Sequence, residues 1–541
     1  MSGFIREISF LRQNCIAVPI KYPISSGLDY SCNDAISKNL HSFSKTFIIE
    51  GVITRCIVMP KFYVTTPIFY LNAKPHIGHA YSVTIADVLA RWHRLKGDDT
   101  FFLTGTDEHG EKVEKKAAEL GISPQEHVDR LSAEWKEAWK KLNISNDDFI
   151  RTTELRHEKA VKHFVKLMHD NGDIYEGVYE GWYCTSDETF IPESQLADGK
   201  CPECGKEVRK LKEETYYFRL SRYQEHLLEY YKQNPNFILP KKRAAEIINR
   251  VNDGLKDLSM TRPSVRWGIP FQFNDKHTIY VWVDALVNYL SAQGWPDKEP
   301  KYWPADVQIV GKDIVWFHTV IWPAMLISAG FKPPKSVLVT GHFISEGKKM
   351  SKSIGNVADP TELVNKYSAD SLRYFLMREL PLGDDGDFSE KLLAERNNNE
   401  LAADLGNLVF RVLTLSSKFE GKLEGKPALE SSMDLKAFQE AMDRYDTYKA
   451  LEIIWRFIKA ANKYINDTKP WELQGSELAN ALYNSIEAIR VIAILISPFM
   501  PAAADSINKQ LGIPSGRFED CKFSRIDYIP KKGAPLFKKI E

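Results

Sequence analysis

The sequence predicts an α/β fold with an insertion, followed by an α-helical bundle. Three observations carry that reading. Strand–turn–helix units recur near the start and again after residue 278, an antiparallel pattern interrupts them, and everything from about residue 396 onward reads as amphipathic helix. At 541 residues the chain has room for roughly two to four domains, each able to bury a core. Lys+Arg and Asp+Glu balance at 72 each, so no global field marks a bulk nucleic-acid binder, although a local basic surface suffices for RNA.

The first 58 residues stand apart. They are Ser-rich, show no sustained period, and hold Cys15, Cys32 and Cys56 of the seven cysteines, an odd count that argues against a secreted disulfide scaffold. One reading is a targeting extension, but Glu7, Asp29, Asp34 and Glu50 and the want of an Arg-rich amphipathic helix count against it. The preferred reading makes Met59 the working start and 1–58 a leader, disordered or outside the working protein. It implies a cytoplasmic protein; the targeting reading would imply the mitochondrial matrix.

From Met59 the elements follow in order. "KFYVTT" is aromatic and β-branched, a buried strand. "AYSVTIADVLARWHRLKG" is a helix closed by Gly97, "DTFFLTGTDEHG" a second strand with a polar turn, and "EKVEKKAAELG" another helix. This is the pattern of a parallel sheet, whose ligands bind at the carboxyl ends of strands. It occupies 59–171. Over 172–277, "GDIYEGVYEGWYCTSDETF" and "YYFRL" look like antiparallel strands around "CPECG", an inserted module. The α/β pattern returns over 278–395 with "TIYVWVDALVNYL", "VQIVGKDIVWFHTVIWPAML" and "SVLVTGHFIS". Residues 396–541 form helices with 3.6-residue apolar periodicity. The longest apolar run, "VIAILISPFMP", is short and Pro-broken, so a soluble protein with no membrane partner is expected.

Two turns invite chemistry. In "PHIGH", His76 and His79 share the first turn of a helix, where unpaired N–H groups attract anions, and Gly78 would let a flat ligand approach the backbone. In "EGKKMSKSIGN", Lys349 and Lys352 lie on a glycine-bounded loop. Such cations suit nucleotidyl transfer, where charge on the α-phosphate and leaving pyrophosphate must be neutralised. A pair of half-buried histidines and a solvated basic loop are the plain alternatives for each motif alone.

Taken together, "PHIGH" and "KMSKS" resemble the two signatures of the class I aminoacyl-tRNA synthetases, which have a Rossmann-like catalytic domain. "TTPIFYLNAKPHIGH", "TGTDEHG", "YVWVDALVNY", "GKDIVWFHTVIWPAML" and "GKKMSKSIGN" narrow this to a resemblance to the methionyl-tRNA synthetases of the shorter bacterial and organellar type, from about Met59 to the end. The resemblance implies a methionine--tRNA ligase acting on L-methionine, ATP with Mg²⁺, and tRNA(Met) with its CAU anticodon. It implies ATP contacts from His76, Gly78, His79, Lys349 and Lys352, the four charged or imidazole side chains being catalytic. It implies a methionine pocket of Ile68, Tyr70, Trp282, Ala285, Leu286, Tyr289, Ile314, His318 and Trp322, with Asp107 for the substrate ammonium. Aromatic rings suit a polarizable thioether, and His318 or Tyr70 would offer the sulfur a weak hydrogen bond. Leu286 stands where some relatives have proline. Core packing is the competing role for these aromatics.

In the insert, Cys184-x₂-Asp187 and Cys201-x₂-Cys204 form two knuckles suited to structural Zn²⁺, with a relic half-site as the alternative. The insert is too short for a large editing domain, so homocysteine would have to be rejected at the synthetic site. By the resemblance, Asn407, Arg411 and Trp471 read the anticodon, in keeping with splayed bases stacking on aromatic or guanidinium planes. Pro470 is expected to open a helix that presents Trp471. The chain ends soon after the bundle, suggesting a monomer. Rival readings are a related class I synthetase or a plain nucleotidyltransferase sharing the His-x-Gly-His turn, and a non-catalytic tRNA-binding paralogue.

Overall fold

The computed structural model describes residues 59–541 apart from 72, 186–188, 192, 203, 346–347, 350–357, 525–527 and 541, and gives backbone alone at 189–190, 194, 344–345 and 348–349. Of the first 58 residues it gives the backbone of three short antiparallel strands, Ile16–Ile20, Ser44–Ile49 and Val52–Ile57, so the expected leader lies largely outside the described residues. Residues 1–61 and 97–99 group apart from the compact unit Phe62–Lys96 and Thr100–Glu541.

Six strands build the main sheet: β1 (Lys61–Tyr70), β2 (Asp99–Asp107), β3 (Asp148–Arg151), β4 (Ile238–Leu239), β5 (Val307–Gly311) and β6 (Val337–Thr340). Their order is β4-β6-β5-β1-β2-β3, and the β1–β5, β5–β6, β4–β6 and β2–β3 pairings run parallel. Side chains alternate across the sheet as the pleat requires. Phe62, Val64, Val307, Ile309 and Leu338 enter one core, whereas Tyr63, Ile150, Val310, Val337 and Val339 enter another on the opposite face. The first of these cores is continuous with the helical region, where Trp455, Ile489 and Phe499 belong to it.

Local signals place the helices. Helix α1 (Ile77–Lys96) ends on Arg94 and Lys96, cations that suit the negative end of its dipole. The helix Pro124–Lys141 is capped by Ser123, whose hydroxyl accepts from Glu126 N at 3.1 Å, with Pro124 at its first position. Within the expected insert, Ile174–Cys184 and Arg209–Phe218 form an antiparallel ribbon flanked by Thr189–Ile191 and Leu258–Ser259. The same stretch of sequence also supplies β4, which returns to the edge of the main sheet.

Three features of the helical region differ from expectation. The helix expected from about residue 397 runs without a break from Glu390 to Ser416, with Asn397–Gly406 in the wider π form. Pro470 opens only a 3₁₀ turn, Pro470–Glu472, and the next helix, Gly475–Ile496, begins after it. The turn forms because Lys469 ends the preceding helix in a left-handed conformation, φ 44°. Finally, the apolar run "VIAILISPFMP" belongs largely to that 22-residue helix, which is long and apolar enough to cross a membrane by length and composition. It is 94% buried within the protein over its most apolar window, as a core helix of a bundle is.

A buried ion pair joins α1 to this bundle. Arg373, on the helix Ala369–Glu379, meets Asp87 of α1 at 2.7 Å, and both side chains are fully buried. The guanidinium also donates to the carbonyls of Phe499 (2.8 Å) and Pro498 (2.9 Å), so it has the partners that a buried charge requires.

Candidate active site

A cleft of about 1070 Å³ opens over the carboxyl ends of β1, β2, β5 and β6, the place where parallel sheets leave backbone groups and loop side chains to meet a ligand. β1 supplies Ile68 and Tyr70 and then turns through His76 and His79 into α1; β2 ends on Asp107. The short helices Val281–Leu286 and Asn288–Ser291 bring Trp282, Ala285, Leu286 and Tyr289. Ile314 and His318 follow β5, His318 within a π-helical turn, Phe317–Ile321, of a kind found often at functional sites. Trp322 is fully buried and does not face the cleft: it lies behind the wall, against Tyr289 at 6.0 Å between ring centroids.

At the histidine turn the two rings stack, with centroids 3.6 Å apart. His79 Nδ1 accepts from His76 N (3.2 Å) and His76 Nδ1 accepts from Gly78 N (3.1 Å). An accepting Nδ1 places each ring's proton on Nε2, the form that donates to an anionic oxygen. Gly78 acts differently from the expectation. A Cβ there would come within 3.0 Å of His76 Cε1, so the room it leaves is filled by the His76 ring rather than held open for a flat ligand. His79 is wedged against Phe69 and Trp135, at 5.1 and 4.8 Å between centroids, which fixes its orientation.

The lysine loop is anchored on both flanks. Lys348–Lys349 pair with Ile344–Ser345 as an antiparallel hairpin, which Gly386–Phe388 extends on the other side. At the far flank the Ala358 carbonyl accepts from Ile77 N at 3.1 Å, tying the end of the loop to the first turn of α1. The Lys349 side chain and all of Lys352 lie outside the described residues.

The apolar end of the cleft corrects one expectation. Burial pushes the His318 imidazolium down to about 4, so the ring is neutral near pH 7. Nδ1 lies 3.0 Å from the Ile314 carbonyl and must donate to it, so Nε2, 2.7 Å from the Tyr289 hydroxyl, accepts. His318 therefore has no proton for a ligand sulfur, and Tyr289 has committed its own to His318. Trp282, stacked on Phe317 at 3.9 Å, completes an aromatic wall.

Behind the cleft stand residues that sequence reading missed. Asp284 is gripped by two histidines, His109 Nδ1 at 2.6 Å and His157 Nε2 at 2.8 Å. His157 Nδ1 in turn meets Ser291 Oγ at 2.8 Å. Burial opposes charge on His109, but the Asp284 carboxylate and its hydrogen bond outweigh it and raise the imidazole above its usual range. Burial likewise works against the Asp284 carboxylate, yet its two histidine partners hold it below the usual range. The cluster locks the β2 turn carrying Asp107 to the helix carrying Trp282. Glu108 braces the same turn from the other side, bound by Arg151 through two contacts of 2.7 and 2.9 Å.

In the insert, the thiols of Cys184, Cys201 and Cys204 lie within 4.8 Å of one another, with Cys184 and Cys204 at 3.5 Å. Thiolates bound tetrahedrally at the usual Zn–S length stand about 3.8 Å apart, so the donor set fits zinc. The fourth expected ligand, Asp187, lies outside the described residues. In the helical region Asn407 and Phe410 are exposed, and Arg411 reaches Asn466 Oδ1 at 2.8 Å with its guanidinium 5.7 Å over the ring of Trp471. Trp471 is 52% exposed, so Arg411 and Trp471 form one surface with Asn407 a helical turn away.

The chain matches known families over most of its length. The family model for "tRNA synthetases class I (M)" matches residues 62–210 and 205–413, and that for the "Anticodon-binding domain of tRNA ligase" matches 432–526. The chain is similar to a methionine--tRNA ligase of Caldanaerobacter subterraneus subsp. tengcongensis, 48% identical over 504 residues, 89% of this chain and 79% of that one. Its likeness to the Thermotoga maritima methionine--tRNA ligase is 45% over 508 residues, covering 89% and 80%. Among solved structures, Mycobacterium tuberculosis methionyl-tRNA synthetase in complex with methionyl-adenylate aligns with a TM-score of 0.85 at 39% identity, over 88% of this chain and all of that one.

Proposed function

The chain belongs to the methionine--tRNA ligases, class I aminoacyl-tRNA synthetases, and on that premise we propose how its own residues divide the work. The reaction is the two-step one: L-methionine and ATP give methionyl-adenylate and pyrophosphate, and the methionyl group then passes to tRNA(Met) with release of AMP.

One observation carries the assignment of roles. A single cleft holds the two Nε2–H donors of the His76–His79 turn, the Asp107 carboxylate and an aromatic apolar wall. ATP, as its magnesium complex, lays its phosphates against the histidine turn. Asp107 takes the methionine ammonium, and the thioether packs against Trp282, Tyr289 and His318. The methionine carboxylate then lies beside the α-phosphate and attacks it, with pyrophosphate leaving toward Lys349 and Lys352. No side chain forms a covalent bond; orientation and charge lower the barrier. Because His318 is neutral and its nitrogens already have partners, recognition of methionine rests on packing more than on a hydrogen bond to sulfur.

We read 59–171 and 278–395 as the catalytic halves, 172–277 as the connective insertion and 396–541 as the anticodon-binding part. Cys184, Cys201 and Cys204 would hold a structural zinc with Asp187, stiffening the tip of the insert. Metal analysis of purified protein is expected to find one zinc per chain, and well under one would remove that role.

The test of the whole is ATP–pyrophosphate exchange on the full chain and on a version beginning at Met59. Exchange with methionine but not leucine, valine or isoleucine is expected from both. Folded protein that exchanges with none of them would favour a non-catalytic tRNA-binding role.

A further inference from the structure

In the helical region, two large aromatics among the described residues stand out by exposure, Trp471 and Phe410, and both carry a cation over the ring. Phe410 lies three residues after Asn407 and so shares its helix face, whereas Arg411, the next residue, points about 100° further round the helix. It is 40% exposed, and Lys532 Nζ, from the chain's last segment, lies 4.0 Å from its ring centroid. Its neighbours on the same helix behave otherwise: Leu408, Val409, Val412 and Leu413 are buried. A phenylalanine turned outward on the face of Asn407, with an ammonium over its ring, joins an apolar plane to a positive charge. Single-stranded RNA is bound by that combination, the base stacking on the ring and the phosphate meeting the cation.

We infer that Phe410 and Lys532 form a further nucleotide site, continuous with the surface of Asn407, Arg411 and Trp471, which takes a base of the anticodon loop flanking the CAU triplet. Phe410 supplies the stacking plane and Lys532 the phosphate contact. The inference rests on the anticodon role of that surface. It adds a contact that is indifferent to base identity, since every base presents a π-face, and so lengthens the bound strand beyond the triplet without adding a sequence requirement.

The test uses the full chain and a labelled RNA hairpin with a CAU loop, compared with hairpins made abasic at the nucleotide immediately 5′ or 3′ of the triplet. Phe410→Ala is expected to weaken binding of the intact hairpin about five- to a hundred-fold. It should cost nothing further on one of the two abasic hairpins, while Phe410→Trp keeps full affinity. Equal losses on all three hairpins, or no loss on any, would overturn the proposal. So would a lowered melting temperature with unchanged RNA affinity, which would make Phe410 a peg for the C-terminal segment. Trp471→Ala and a hairpin with a different triplet serve as controls: if neither weakens binding, the anticodon reading itself fails, whereas their success with a silent Phe410→Ala removes the flanking site alone.

Discussion

Tyr289 is 1% exposed and its hydroxyl donates to His318; Trp471 is 52% exposed with the Arg411 guanidinium 5.7 Å above its ring. The two aromatics serve the same protein under opposite conditions. In the cleft the rings are held by hydrogen bonds and by one another. On the helical surface the planes are exposed, with cations over them, and in the proposed reading the RNA loop brings its bases to them. A small apolar side chain offers few contacts, so its recognition depends on a rigid surround. An RNA loop offers many, and each can be met by a plane and a charge.

That contrast can be broken most sharply by exchanging the consequences of a mutation between the regions. Lys352→Ala is expected to slow adenylate formation about 10²–10³-fold, as removal of one electrostatic contact to a transition state does, with methionine affinity nearly unchanged. Stopped-flow tryptophan fluorescence would separate the two, and equal losses in both would deny the lysine its role. The mirror case, Trp471→Ala, should raise KM for tRNA by the worth of one stacked base, about 1–3 kcal/mol, and leave pyrophosphate exchange intact. A loss of exchange there would mean that Trp471 supports the fold.

A smaller effect sharpens the picture of the cleft as a preset structure. The raised His109 and lowered Asp284 make their pair sensitive to pH from both sides. His109 contributes stability that is full below its unfolded value, about 6.5, and is lost as pH rises through its higher folded value. Asp284 contributes stability that is full above its unfolded value, about 3.9, and is lost as pH falls through its lower folded value. The pair is strongest between. Thermal unfolding across pH should show an alkaline decline that His109→Gln, which keeps a donor to Asp284 but cannot titrate there, flattens. An unchanged decline in that variant would assign it elsewhere.

Four strands of the sheet were legible because each carries its own apolar signature, so "KFYVTT" and "SVLVTGHFIS" announce themselves locally, whereas Asp148–Arg151 and Ile238–Leu239 are too short to do so. The histidine turn and the lysine loop were legible for the same reason. The His109–Asp284–His157 cluster was not, since its pairs are separated by 175 and 127 residues and no spacing rule spans that distance. Trp322 was misplaced because an aromatic facing the cleft and one packed behind it look alike in a sequence. The tautomer of His318, which decides whether it donates, depends on the Ile314 carbonyl and so on the π-helical turn. The start of the long helix at Glu390 was missed because its first turns are largely polar.

The Asp87–Arg373 pair has a last consequence. Asp87 sits on the helix that starts at the histidine turn, and Arg373 grips Pro498 and Phe499 just beyond the helix Gly475–Ile496. Withdrawing Asp87 would strand the buried Arg373 charge, at about 3–5 kcal/mol, so the two cannot slide apart cheaply. The arrangement acts as a caliper whose jaws are locked. The spacing between α1 and the end of the helix Gly475–Ile496 is thereby a dimension of the protein.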